Sequence, residues 1–517
     1  MDVIARSTGD EAIPVITHKR RDCFGVWPRN DRRWWFGVLL VLPLLFLGLS
    51  CTKGIPKNVT DRLKQVRLEW WGVNETEEEV LPIITEYQKL HKNVSVTYRR
   101  FRYPEYEARL LDALSEKDFQ GPDIFAIPST WSRKYQSKLL PAPLAVTMPF
   151  TEMRGTVKKE LFAELRETRL TAPSEIPNVF VDAVAPDAVL ATEPTERAPS
   201  QPAMFGLPLS VDTLVLYGNR DLLNAAGIPE PAKTWTEFQT HVPRLTKVGA
   251  NGELLQAGAA IGTSGNVQRS FDILSLLMMQ NGAVMSGPDG EPRFHQIPQA
   301  LSGARQSPPS ADALLYYVDF ANPQKLVYTW NDDQPDSLEA FLTGRVAYFF
   351  GYSYHLPIIK ARAPRINVSV TGVPHMAAAV DPTTGIVVGS DLVGDGVGTV
   401  AVNVANFWLE VVSERTKYVN EAWDFVHTVT TRPAIVRPFL EASGRPTALR
   451  GLIGEDLQQP TRKVFAAQLL TARSWYHGSN PDAVEQAFAE LIEAARTGTT
   501  DVRRALQVAA EKVAQTL

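Results

Sequence analysis

The sequence predicts an α/β protein of more than one domain, built on a largely parallel sheet and carried behind an N-terminal export segment. Three observations predict it. Strand-like and helix-like patterns alternate from Val66 to Ile127, and parallel strands need such crossovers between them. The chain has 517 residues, 44% hydrophobic and 21% charged, enough for two or three sizeable cores. A basic flank followed by an apolar run then breaks an otherwise uniform composition near the amino terminus.

The same arithmetic excludes several classes. Lys+Arg is 53 against Asp+Glu 57, a formal net charge of −4, so no basic excess marks a nucleic-acid partner. Two cysteines cannot build a disulfide framework or a Cys-rich zinc site. The eight histidines are scattered, with no pair at i,i+3 or i,i+4, so no metal and no cofactor are expected.

The amino terminus reads as an address. Residues 1–33 form a basic tail with Lys19, Arg20, Arg21, Arg29, Arg32 and Arg33. Trp34 to Leu49 is apolar, and 34–50 reads as a signal peptide or an anchor, with its basic side held in the cytoplasm. Gly48-Leu49-Ser50-Cys51 resembles a bacterial lipoprotein lipobox. That resemblance implies cleavage before Cys51 and a lipid on its thiol; an uncleaved signal anchor is the alternative. Either one places the rest outside the cytoplasmic membrane, with 51–64 as a polar tether.

Each later element has its own signal. Val66 to Val73 alternates bulky residues as a strand does. Thr76 to His91 repeats Val80, Ile83, Ile84 and Tyr87 at helical spacing, with Glu77, Glu78 and Glu79 in the first turn, and Asn74 is a candidate cap. Val94 to Tyr98 is a strand. Tyr103 to Ser115 is a helix with Tyr106, Leu110, Leu111 and Leu114 on one side. Asp123 to Ile127 is a third strand. Thr171 to Ala203 holds six prolines and reads as a partly irregular surface insertion. Phe205 to Tyr217 is extended, and Asn251-Gly252 turns a small hairpin. Further on come helices at Ser337–Thr343 and Lys417–Thr431 and strands at Arg345–Phe350, Ile366–Val373 and Gly398–Val402. Asp391 to Gly396 is a loop. A last helix from Thr500 to Thr516 presents Val502, Leu506, Ala509, Ala510 and Val513.

An ordered set of blocks resembles the extracellular solute-binding proteins of bacterial ABC importers, the group containing maltose-binding protein. The blocks are Leu68 to His91, Gly121-Pro122-Asp123-Ile124, Gly206-Leu207-Pro208-Leu209 with Asp212 and Asn219, and Ala226-Gly227-Ile228-Pro229 followed by Thr234-Trp235-Thr236-Glu237. Ala340-Phe341 with Gly344 to Tyr348, and Ala422-Trp423-Asp424-Phe425, complete the set. Tyr348 stands where the family usually has Met, and an insertion at 151–203 departs from maltose-binding protein.

The resemblance implies a periplasmic-binding-protein-like fold. Two α/β lobes are joined by three crossings, expected near Pro208–Asp212, Val370–Pro374 and Thr428–Pro433. Lobe 1 would comprise 65–208 plus 374–430, and lobe 2 would comprise 209–373 plus 431–517. A small-molecule solute, here a sugar or oligosaccharide, would bind between them, and the monomer would hand it to the transmembrane subunits of an ABC permease.

A carbohydrate cleft needs aromatic faces for C–H groups and polar side chains for hydroxyls. Position along the chain nominates Trp71, Asn74 and Glu75 after the first strand, Asp123 and Trp131 around the third, and Trp330 and Trp408. The resemblance nominates Asp212 on the crossing, Tyr352 and Tyr354 where the family puts an aromatic, and Arg445 in a "G-x-P" loop. No G-x-S-x-G, P-loop or H-E-x-x-H motif supports catalysis. An extracellular carbohydrate-active enzyme or a ligand sensor on the same scaffold remains the alternative, since two acids across a cleft could still hydrolyse a glycoside.

Overall fold

A seven-stranded and a five-stranded sheet organise the chain into two lobes. The computed structural model describes Val59, residues 63–116, 119–154, 160–194, 199–303, 305–377 and 402–517, and short strands at 379–380, 387–388 and 399–400. The expected basic tail, the Trp34–Leu49 run, Cys51 and the Asp391–Gly396 loop lie outside the described residues. No helix among the described residues is long and apolar enough to cross a membrane.

The first sheet runs Val94–Arg100, Val66–Gly72, Ile124–Pro128, Asn403–Val412, Ala472–Arg473. Its first three strands are parallel, as the alternating pattern requires. The long strand Asn403–Val412 enters antiparallel to Ile124–Pro128, and Gly206–Leu207 and Val211–Thr213 also pair with it antiparallel. The second sheet runs Lys247–Val248, Leu254–Ala259, Val346–Gly351, Val215–Asn219, Val368–Gly372, with Leu254–Ala259 and Val346–Gly351 as its parallel pair. Both sheets are therefore mixed rather than largely parallel.

Helices close over them as the periodicity predicts. Glu77–Leu90 buries Val80, Ile83, Ile84 and Tyr87, and Thr76, not Asn74, caps it through a reciprocal box with Glu79. Tyr103–Ser115 buries Tyr106, Leu110 and Leu114 but leaves Leu111 exposed. Val502–Ala514 buries Ala505, Leu506, Ala509, Ala510 and Val513.

Two hydrophobic cores separate the lobes, and the chain passes between them at three places, apart from Phe465, which dips into the second core while Ile453 and Ala466 on either side lie in the first. The first passage is between Val211 and Leu214, beside the expected crossing. The second lies between Val404 and Ala405, not near Val370–Pro374, because Val368–Gly372 stays hydrogen-bonded to Val215–Asn219. The third lies between Ala472 and Trp475, not near Thr428–Pro433. Pro433 opens the helix Pro433–Ser443 at a position where a missing N–H is harmless. That helix buries Ile435, Val436, Phe439 and Leu440 in the first core, against Glu77–Leu90.

The region around 151–203, expected as an insertion, falls into two structural parts. Ala145–Arg154 and Glu160–Arg169 pair over their whole length as an antiparallel ribbon, which the sequence reading missed. Residues 171–203 are not surface decoration: Ile176, Phe180, Val181, Val184, Ala188 and Leu190 all enter the first core.

Candidate functional site

Parallel strands that end at one edge of a sheet leave their following loops to form a binding crevice. In the first lobe, Val66–Gly72 delivers Asn74 and Glu75, and Ile124–Pro128 delivers Ser129, Thr130 and Trp131, to one such edge. The facing wall comes from the second lobe: Arg269 and Asp272 at the start of Ser270–Gln280, Tyr354, and the stretch from Trp475 to Glu485. Together they enclose a cavity of about 430 Å³ between the lobes.

Seven expected residues line this cleft: Asn74, Glu75, Trp131, Asp212, Tyr354, Trp408 and Arg445. Trp131 stacks on Tyr135 at 5.4 Å with the ring planes 12° apart, and Lys134 lies 4.9 Å from its ring centroid. Trp408 is half-buried and meets Tyr103 edge-on at 6.1 Å. Tyr354 stacks on Tyr352 at 5.9 Å.

Four expected residues are elsewhere. Trp71 faces away from the cleft, donating from Nε1 to Glu69 at 2.6 Å and packing on Phe101. Asp123 sits at the opposite end of the third strand, where it accepts from the Glu69 N–H and the Thr416 hydroxyl. Trp330 is buried in the second core with its Nε1 on Asn266 Oδ1 at 2.9 Å. Tyr352 is buried behind the cleft wall and donates to Asp272 Oδ2 at 2.6 Å.

The charges are arranged in two groups. On the first, Arg445 Nη1 lies 2.9 Å from Glu75 and Nη2 donates to the Asn74 carbonyl at 3.0 Å. Beside this pair, Glu410 accepts from Trp70 Nε1 at 2.6 Å. Burial, then the neighbouring Glu75 carboxylate, push the Glu410 carboxyl well above the usual carboxylate range, against the donation from Trp70. Asp212 accepts from the Ser353 N–H and hydroxyl at 2.8 and 2.6 Å and from the Thr213 N–H. Its burial outweighs those donors and Arg445, so its carboxyl is pushed up to about 6.

In the second group, Arg269 Nε lies 2.5 Å from Asp272 Oδ2 and its guanidinium lies 5.6 Å from the Tyr352 ring centroid. Arg269 is the non-glycine residue in the left-handed region among those described, with φ 61°, directly before the helix Ser270–Gln280. Such a backbone is costly for a side-chain-bearing residue and turns this guanidinium into the cleft wall. Burial also raises the Glu485 carboxyl on this wall, despite Arg269.

Sequence reasoning missed Tyr103, Arg269, Asp272, Glu410 and Glu485. Glu410 had a signal: it lies two residues beyond Trp408 on one strand, so both point to the same face. Arg269 had none, because its placement depends on a backbone conformation that no residue pattern marks. The arrangement suits a polyhydroxylated solute, with aromatic faces set among carboxylates and guanidinium groups that hydrogen-bond hydroxyls.

A two-lobed α/β scaffold with a polar, aromatic-lined cleft between the lobes defines a solute-binding class. The chain belongs to the bacterial extracellular solute-binding protein family, whose model matches residues 73–434. Similar solved structures include the cyclic α-maltosyl-1,6-maltose binding protein from Arthrobacter globiformis, at 16% identity, 87% of this chain, 99% of that one and a TM-score of 0.61. A cyclo/maltodextrin-binding protein complexed with maltotetraose is 15% identical over 87% of this chain and 96% of that one, with a TM-score of 0.59. An ABC transporter solute-binding protein from Thermotoga lettingae bound to α-D-tagatose is 16% identical over 87% of this chain and all (100%) of that one, with a TM-score of 0.57. No curated protein sequence matches the chain.

Proposed function

We propose that this chain captures a sugar or oligosaccharide outside the cytoplasmic membrane and delivers it, without covalent change, to the permease of an ABC importer. The observation that carries the reading is the inter-lobe cleft in which Trp131, Trp408 and Tyr354 stand among Glu75, Asp212 and Arg445. Stacked rings take the C–H faces of a sugar, and the charged groups take its hydroxyls. A wrong solute leaves those buried polar groups unpaired, which is how such a site discriminates. The maltotetraose and tagatose complexes of similar proteins support the same class of ligand.

In this reading the chain is a tethered monomer, held at the membrane by a lipid on Cys51. Mass spectrometry of the membrane-extracted protein tests the tether: a mass that includes residues 1–50 rejects it. A thermal-shift screen of the protein against tagatose, maltotetraose, mannotriose, amino acids and peptides tests the ligand class. A ligand present at 100 times its Kd should stabilise by about 2.7 kcal/mol. A shift with a peptide and none with any carbohydrate overturns the sugar assignment, and hydrolysis products after long incubation overturn the non-enzymatic one.

A further inference from the structure

Away from the hinge, two charged side-chain pairs among the described residues cross from one lobe to the other. Lys134 Nζ lies 3.5 Å from Asp482, while also meeting Glu107 at 2.7 Å. His477 Nδ1 lies 2.6 Å from Asp187 Oδ1. Asp187 belongs to the short helix Ala185–Ala188, within the proline-rich segment 171–203. This helix packs beside Ser129–Trp131 and Ser132–Tyr135, so it stands behind the aromatic wall of the first lobe. His477 directly follows Trp475 and Tyr476, which line the opposite wall. The pair therefore joins the supports of the two walls and lines no part of the cleft itself.

The burial of Asp187 makes this contact more than a surface ion pair. Its side chain is fully buried, and its Oδ2 makes no hydrogen bond to any described protein atom. The His477 imidazole is thus its partner across the boundary, and that imidazole stays partly exposed. A carboxylate enclosed without a donor is strongly unfavourable, whereas the same carboxylate in water is not. Bringing the lobes together with the imidazole present satisfies Asp187; bringing them together without it encloses an unpaired charge.

We propose that Asp187 and His477 are positioning residues that form a closing latch, through which the proline-rich segment favours the closed arrangement of the lobes without touching solute. The latch has a signature that ordinary packing lacks. Removing the imidazole alone should open the lobes, and then neutralising Asp187 should close them again.

Pulsed electron spin resonance on the solute-free full chain reads this directly. Cys23 and Cys51 are changed to serine, and labels are attached at two inter-lobe pairs of exposed positions, Leu144→Cys with Leu326→Cys and Leu111→Cys with Val248→Cys. His477→Ala should move at least half of the population to a longer distance in one or both pairs. Asp187→Asn added to His477→Ala should return most of it, and His477→Asn, which keeps a donor near the Nδ1 position, should stay close to the parent. Melting curves of each variant report folding separately. Distances in His477→Ala equal to the parent, with or without a lower melting temperature, overturn the latch. So does a double variant no more closed than His477→Ala, or a His477→Asn chain as open as His477→Ala.

Discussion

Asn403 donates from Nδ2 to Gln468 Oε1 at 2.7 Å, a bond that ties the strand entering the second passage to the stretch that leads into the third. The same Oε1 accepts the Val373 N–H at 3.1 Å, and Gln468 Nε2 donates to the Leu214 carbonyl at 3.2 Å and to Thr213 Oγ1 at 3.4 Å. Asn403 itself also donates to the Leu214 carbonyl at 2.8 Å. A hinge whose strands share one hydrogen-bonding centre bends as a unit.

Replacing that centre should weaken the hinge without touching the cleft. Gln468→Leu keeps the volume but orphans the Val373 N–H and half the Asn403 amide, a loss on the order of 2 kcal/mol. Urea unfolding should show this loss, and Gln468→Glu should recover part of it because its Oε1 still accepts. Equal stability of Gln468→Leu and the parent would show the amide to be dispensable.

The Arg445–Glu75 pair should be more sensitive than a surface ion pair. Both side chains are largely buried, and Glu410 stands beside Glu75. Arg445→Met should cost about 3 kcal/mol, because it leaves a buried charge uncompensated. Adding Glu75→Gln should return most of that loss in the same melting experiment.

Asp212 predicts a pH dependence with a definite sign. Its carboxyl is raised from 3.8 to about 6, so the folded protein holds this proton more tightly than the unfolded chain. Its contribution is fully present below pH 3.8 and is lost as pH rises through about 6. The melting temperature of Asp212→Asn relative to the parent should therefore climb between about pH 4 and 6 and level off above 7. A difference flat across this range would contradict the buried, ionisable assignment.

The tryptophans divide into two sets with opposite readouts. Trp131→Ala and Trp408→Ala should weaken binding of a carbohydrate ligand at least tenfold by calorimetry, about 1.4 kcal/mol. Trp330→Phe should leave that affinity unchanged and lower stability by about 1–2 kcal/mol, because its indole donates to Asn266 inside the second core.

Much of the scaffold could be read from residue periodicity. Glu77–Leu90 announces its buried face because helical spacing survives a proline in its first turns. The ribbon Ala145–Arg154 with Glu160–Arg169 did not announce itself: Pro149 interrupts the alternation of Val146, Met148 and Phe150 in the first strand, and the second is dense in Glu and Arg. Within the cleft, loops after parallel strands were legible as loops, which located Asn74, Glu75 and Trp131. Strand direction was the clue left unused for Asp123, which precedes its strand and so lies at the far edge of the sheet. Tyr352 is held behind the cleft wall by its bond to Asp272, a partner in direct contact but 80 residues away in sequence, so no local pattern separates it from Tyr354.

The long strand Asn403–Val412 has a consequence for how the molecule comes into being. It sits between Ile124–Pro128 and Ala472–Arg473, and Gly206–Leu207 and Val211–Thr213 also pair with it. A growing polypeptide has made the first three strands long before this one exists, and must hold their apolar faces unsatisfied meanwhile. The second lobe waits longer still, for the helix Val502–Ala514. Neither core is complete before these late segments are present, so both depend on contacts between stretches far apart in the chain, the kind that form slowly.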